Sequence, residues 1–463
     1  MKSYSIFALF FVFFNGFGQN ITLKKGIVNT DLEAHDSLHT KYSLFIPSNY
    51  DSNTLYPMLF VFDPEGDGMR AARLFKSAIG EDFVIAATNE KLGDSLEYNL
   101  ELGLSMIKDV VNKIRLDPNH IYTTGLDEGA RVASGLTFVI NNISGVLAIN
   151  DIFFKMTSNQ NFKKENFIGM VGDASPNYYG MQNVFDRLKM FKKENVLYEY
   201  AGEGGWPRVD YLGSIFNTLY LQQSEKVKEE IPQSYIDLSF TTDYNTADAL
   251  IKRQNYTIAY NFLSELKDKY RRKHDLDSLR GLQKDLRRLK GYKNQRNRIA
   301  NSSENETYLV EDISYFLQDD ISTANFENLG YWDDKVQQLE TAAKDDSKPY
   351  EQMVAKRILG YINTSLDDYI SVLNSAGTAS QKIFPNVLKT ILKPQNYQSY
   401  LNIIEIAAKD KDDNTAYFYL EEMLKKGFKG YDKLYSIPNT EVLKISPTYN
   451  YIINRYLGKS KYQ

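Results

Sequence analysis

An acidic turn flanked by glycines, Gly125-Leu126-Asp127-Glu128-Gly129, follows the extended run His120-Ile121-Tyr122-Thr123-Thr124 and precedes the small-residue stretch Ala130-Arg131-Val132-Ala133-Ser134-Gly135. A tight turn from strand to helix holds its central side chain strained and exposed, which is where a nucleophile is useful. The central residue here is Asp127. A carboxylate nucleophile forms a covalent ester, and turnover then needs a base to activate the hydrolytic water. The chain offers Glu128, Asp173 and Glu203 as carboxylates for that task. Its four histidines are poorly placed: His35, His39 and His120 precede the turn, and His274 lies far beyond it in a basic stretch. The plainer reading, and the preferred one, makes Asp127 a carboxylate at a helix N-terminus, favoured by free amides and the helix dipole, with Asp173 and Glu203 as solvated loop residues.

The elements that position this turn follow from hydrophobic patterning. Lys41 to Pro47, Tyr56 to Asp63, Phe83 to Thr88, the run into the turn, Gly145 to Asn150, Phe167 to Gly172 and Val196 to Tyr200 are short apolar strands. Leu102, Met106, Val110 and Ile114 recur every four residues, marking a helix from about Tyr98 to Ile114. Apolar strands alternating with helices predict a mostly parallel α/β sheet covered on both faces. From about Tyr235 the pattern is helical only.

The order of these pieces resembles bacterial esterase-like α/β-hydrolases over about residues 40–222. The pieces are Tyr-Pro-Met-Leu-Phe-Val-Phe-Asp-Pro ending at Pro64, Arg-Leu-Asp-Pro-Asn-His-Ile-Tyr ending at Tyr122, the turn, Gly172-Asp173-Ala174-Ser175-Pro176-Asn177-Tyr178 and Gly204-Gly205-Trp206-Pro207. The resemblance implies a G-x-S-x-G nucleophile elbow with Asp127 at the serine position. It implies Ser175 at the position of the triad acid and Gly204 at that of the catalytic histidine, so all three triad positions are replaced. It also implies that Gly66-Asp67-Gly68 is the oxyanion-side loop and that Asp63, Glu128, Asp173, Glu203 and Trp206 line the old cleft.

In the helical half, Ala259, Leu263 and Leu266 and later Ala416, Leu420 and Met423 show small-then-large spacing, and the Gly427-Phe428 helix end leads into short terminal segments. These features resemble tetratricopeptide arrays, so an all-α, helical-repeat domain is expected over 236–463, with protein partners bound through it. Residues 267–298 carry thirteen Lys/Arg against four Asp/Glu, and 303–346 carry twelve Asp/Glu against two Lys/Arg. Only Tyr270 and Tyr292 interleave the basic run, so a nucleic-acid surface is not expected.

A 463-residue chain with 43% hydrophobic residues and a net charge of −4 contains more than one packed domain. Lys2, the apolar run Ile6 to Phe14 and small residues up to Gly18 read as a signal peptide, 1–18, with a mature start near Gln19. With no cysteine in the chain, disulfides and thiolate chemistry are excluded. The expected protein is exported to the periplasm or surface of a bacterium, with no transmembrane segment, metal or cofactor. Its expected domains are an esterase-like one over 19–235, inactive, and the helical one after it. The function expected is binding or scaffolding in an envelope complex. The alternatives are an unconventional hydrolase using Asp127, or a protein holding a glycan or small ligand in the old cleft.

Overall fold

A computed structural model describes residues 23–93, 95–155, 165–192 and 194–462. The expected signal peptide lies outside the described residues. The strands β1 Val28–Glu33, β2 Lys41–Phe45, β3 Tyr56–Phe62, β4 Val84–Thr88, β5 Leu116–Leu126, β6 Gly145–Ile149, β7 Asn166–Gly172 and β8 Val196–Tyr200 form one sheet in the order β1-β2-β4-β3-β5-β6-β7-β8. β2 runs antiparallel to both its neighbours, and every other pairing is parallel.

Helices cover both faces, which is why β3 and β6 are nearly continuous apolar runs, while the buried Thr123 and Thr124 of β5 bond to the Ala133 and Leu147 carbonyls. On one face, α1 Gly68–Ile79 and α5 Val209–Lys226 pack through Phe75, Leu212 and Phe216 on Leu59, Val61 and Tyr122. On the other, α2 Leu96–Lys113, α3 Glu128–Gly135 and α4 Tyr178–Phe191 contribute Met106, Ala133 and Phe185 to one core with Met58, Phe60 and Phe62, α4 lying over β7 and β8. The alternation along β3 assigns its successive side chains to opposite cores.

The first compact unit reaches Asn297, and the second runs Arg298–Gln463. The first therefore extends beyond the sequence boundary at 235. Helices α6 Gln233–Lys252, α7 Tyr256–Lys269 and α8 Asp277–Arg288 add Phe240, Phe262, Leu263 and Leu279 to the core beneath α1 and α5. The change from strands to helices marks a change of secondary structure, not the edge of the core. α6 and α7 are separated by a break in which Gln254 takes φ 63°.

The second unit is all-α. It comprises most of α9 Lys290–Thr323, then α10 Leu329–Ala343, α11 Pro349–Ala376, α12 Ala379–Leu392, α13 Tyr397–Lys409, α14 Asp413–Lys425, α15 Tyr431–Tyr435, α16 Glu441–Ile445 and α17 Pro447–Leu457. From α10 to α14 each helix packs on the next, and α17 packs back on α14. Gly427 ends α14 at φ 97°, where a side chain would be strained, and Phe428 packs its ring 5.1 Å from that of Tyr397. Among the described residues no helix is long and apolar enough to cross a membrane.

Candidate functional site

The elbow is formed. Asp127 sits at φ 48°, ψ −118°, between the end of β5 and the start of α3. Its amide donates to the Ile149 carbonyl at 2.9 Å, and its carbonyl accepts from Ala130 N at 2.9 Å. A Cβ at Gly125 would lie 2.2 Å from the carbonyl of Gly129, and one at Gly129 would lie 1.9 Å from the Phe62 carbonyl oxygen. The flanking glycines are therefore required for helix and strand to approach this closely.

Asp127 does not cap its helix: no side-chain capping hydrogen bond forms. This corrects the helix-cap reading of the sequence. Burial pushes its carboxyl up to about 6, reinforced by the nearby Glu128 and Asp151 charges and opposed by a hydrogen bond with the Asn150 side chain. A favourable interaction with the helix terminus would have shifted it the other way. Asp151, which follows Asn150 at the end of β6, is likewise raised to about 6 by burial, against the pull of Arg131 at 4.0 Å.

Asn150 is the hub of this crevice, and the sequence pattern gave no hint of it. It is buried at φ 64°, takes the Gly172 amide on Oδ1 at 3.0 Å and the Asn177 side-chain amide on its carbonyl at 2.9 Å, and its side chain pulls both the Asp127 carboxyl and the Tyr200 hydroxyl down against the effect of burial. Gly204, exposed, sits beside it: a Cβ there would be 3.0 Å from Asn150 Nδ2. The position that the resemblance assigns to a histidine thus lies beside Asn150 with no side chain of its own. Ser175 is buried and bonded within its own turn, its amide to the Gly172 carbonyl at 3.0 Å and its Oγ accepting from Asn177 N at 3.2 Å. Asp173 Oδ1 takes the Gly202 amide at 2.8 Å and ties two loops together. Glu128 and Glu203 are exposed.

Asp63 and Trp206 form a clasp. Asp63 Oδ1 accepts from Glu65 N at 3.0 Å and Asp67 N at 3.2 Å, its carbonyl accepts from Gly66 N at 3.2 Å, and its Oδ2 accepts from Trp206 Nε1 at 3.0 Å. Pro64 has no N–H. Every amide from Pro64 to Asp67 is thus absent or turned onto Asp63, although this is the loop from which an esterase of this fold draws its second oxyanion donor. The indole edge of Trp206 meets Phe75 at 5.4 Å. The sequence signal for the clasp was Asp63-Pro64-Glu65-Gly66, an Asp that folds the following turn around its own carboxylate.

The histidines are engaged elsewhere. His120, near the start of β5, bonds Tyr122 Oη at 2.8 Å and Glu229 at 2.7 Å. Seven residues of extended chain, about 23 Å, separate it from Asp127. His35 bonds Asp109, His39 pairs with Glu33, and His274 stacks 3.7 Å from Phe240. Among the described residues no three His, Cys, Asp or Glu side chains are grouped to hold a metal ion.

The raised carboxyls set a pH dependence. A carboxyl whose folded pKa of about 6 exceeds the unfolded value near 3.9 holds its proton more tightly in the fold, so it contributes stability below about pH 4 that is lost as pH rises through 6. Asp127→Asn should therefore raise stability at pH 7.5 by on the order of 1 kcal/mol, with no comparable gain at pH 4. Urea unfolding at the two pH values checks this, and equal effects at both would contradict it.

No family model and no curated protein matches the chain. Solved structures similar to it include a feruloyl esterase module from Clostridium thermocellum, at 10% identity, with 43% of this chain and 87% of that chain covered and a TM-score of 0.31. An S-formylglutathione hydrolase from Staphylococcus aureus is similar at 12% identity, with 44% and 100% covered and a TM-score of 0.34. An esterase from Thermogutta terrifontis is similar at 13% identity, with 44% and 95% covered and a TM-score of 0.33. The chain's own geometry carries the fold: eight mostly parallel strands, helices on both faces and a strained turn leaving β5 give its first unit an α/β-hydrolase-like architecture.

Proposed function

We propose that this protein is an exported, non-catalytic relative of the esterase fold that acts as a binding or scaffolding component of a bacterial envelope complex, with its main protein partner on the helical unit. The observation that carries the loss of catalysis is the elbow crevice. Asp127 occupies the nucleophile position, Gly204 brings no base to it, and the amides of the Pro64–Asp67 loop are absent or bonded to Asp63. An aspartate raised to about 6 is also partly protonated near neutral pH, and the protonated fraction cannot attack. The helical unit supports the binding role, because stacked helix pairs offer extended surfaces without needing a cleft.

The test is ester hydrolysis by the purified full-length chain, with p-nitrophenyl acetate, p-nitrophenyl butyrate and methyl ferulate between pH 6 and 8. Rates should equal those of buffer, and Asp127→Ala should leave them there. Asp127→Ser should not create activity either, since a serine hydroxyl needs a base. Turnover by the native chain that disappears in Asp127→Ala would establish the carboxylate nucleophile and end the non-catalytic reading.

A further inference from the structure

We propose that the outer edge of β8 accepts an extended, basic peptide segment as a ninth strand of the sheet. β8 is the last strand, paired on one side only, with β7. A groove of about 340 Å³ runs along its free side, lined by Leu197, Tyr198 and Glu199 of the strand and by helices from both faces: α4 through Asp186 and Lys189, α7 through Asn261 and Glu265. Those helices belong to opposite cores, with Phe185 of α4 in one and Phe262 of α7 in the other, so the groove straddles the sheet edge and does not lie on one face.

The backbone there is directional. The Tyr200 carbonyl accepts the Asp173 amide beyond the end of β7, which places residues 196, 198 and 200 towards β7. Leu197 and Glu199 then present their amides and carbonyls outward. Tyr211 Oη donates to the Glu199 carbonyl at 3.0 Å and so closes one end of the edge. Among the described residues the outward amide and carbonyl of Leu197 have no partner. An unpaired edge of this kind is a template for strand addition, in which main-chain hydrogen bonds give affinity and alternate side chains give specificity.

Charge chooses the occupant. Among the described residues, Asp186, Glu199 and Glu265 line the groove against one cation, Lys189. Glu199 accepts from Tyr178 Oη at 2.5 Å, which fixes it on the α4 side. Glu265 stands on the α7 side with Asn261, next to where a strand's alternate side chains would project. A lysine or arginine at those alternate positions meets the acidic wall, whereas an acidic segment is repelled.

The probe is a fluorescein-labelled pentapeptide, acetyl-Lys-Val-Lys-Val-Lys-amide, titrated into the full-length chain and followed by anisotropy. Saturable binding is expected, accompanied by slowed hydrogen exchange over residues 196–200. Replacing the central lysine by proline removes a main-chain donor and should weaken binding about tenfold, as should exchanging all three lysines for glutamates. Glu265→Lys in the protein should weaken the lysine peptide by a similar factor and improve the glutamate peptide. No saturable binding, equal binding of the proline peptide, unchanged exchange at 196–200, or indifference to Glu265→Lys would each overturn the proposal. None of these readouts depends on Asp127, so failure here and failure of the non-catalytic reading are distinguishable.

Discussion

Gly129→Ala should cost the first unit about 3–5 kcal/mol and remove most of its cooperative unfolding transition at 25 °C. An added methyl at this position would sit 1.9 Å from the carbonyl oxygen of Phe62 and 2.8 Å from its carbonyl carbon. Both atoms are backbone at the end of β3, inside a ladder paired to β4 and β5, so no rotamer change can relieve the clash. The helix would have to leave the sheet, taking Ala130 and Ala133 out of the core they share with Phe62. Gly281→Ala is the control, because a Cβ in the middle of α8 meets nothing within 4 Å and should stabilise by up to about 1 kcal/mol. Urea melts of the three proteins decide the matter, and a Gly129→Ala chain within about 1 kcal/mol of the parent would refute the packing argument. If the prediction holds, the glycines of the elbow are fixed by strand and helix contact. The pattern then persists with or without a working nucleophile, and its presence is no evidence of catalysis.

That distinction explains what could be read from the residues alone. Seven of the eight strands were legible because burial on both faces favours short, nearly continuous apolar runs, as in Met58 to Phe62, whereas β1, Val28–Glu33, is a partly exposed edge strand with no such run and was missed. The elbow was legible because two glycines four residues apart have a steric reason that survives any change of chemistry. The Gly427 helix end was legible for the same kind of reason. Asn150 was not, since an asparagine after a strand looks like any turn residue until the fold brings Gly172, Asp127 and Tyr200 around it. Asp63 was noticed as a cleft acid, but its role as the acceptor for its own loop depends on geometry that spacing only suggests. Asp127 was misread locally: propensity assigns a carboxylate to a helix start, while the strained turn points it away from the free amides and into a poorly solvated crevice beside other carboxylates. The extent of the first unit was hidden because a core has no mark in the sequence where it ends.

Ending the chain at Asn297 should abolish co-purification of the main partner from envelope extract while leaving the first unit folded. The position of the cut follows from what α6, α7 and α8 do. Lys269 is buried and donates to Asp243 Oδ2 at 2.7 Å and to the Ser214 carbonyl at 3.1 Å, and Tyr270 Oη donates to the same Asp243 oxygen at 2.7 Å. This network joins α5, α6 and α7, and burial pushes the Lys269 amine down against the pull of its partner. A cut at 235 would remove both Asp243 and Lys269. It would also strip Phe262 from the rings of Tyr198, 6.4 Å away, and Tyr211, 5.1 Å away, leaving an apolar face open to water. Loss of partner binding in that fragment would then report only misfolding. The chain ending at 297 keeps these contacts, so a cooperative melt alongside absent partner is the result that places binding on the helical unit. Retention of the partner by the 297 fragment would transfer the interaction to the sheet unit, where the β8 edge becomes the first surface to substitute.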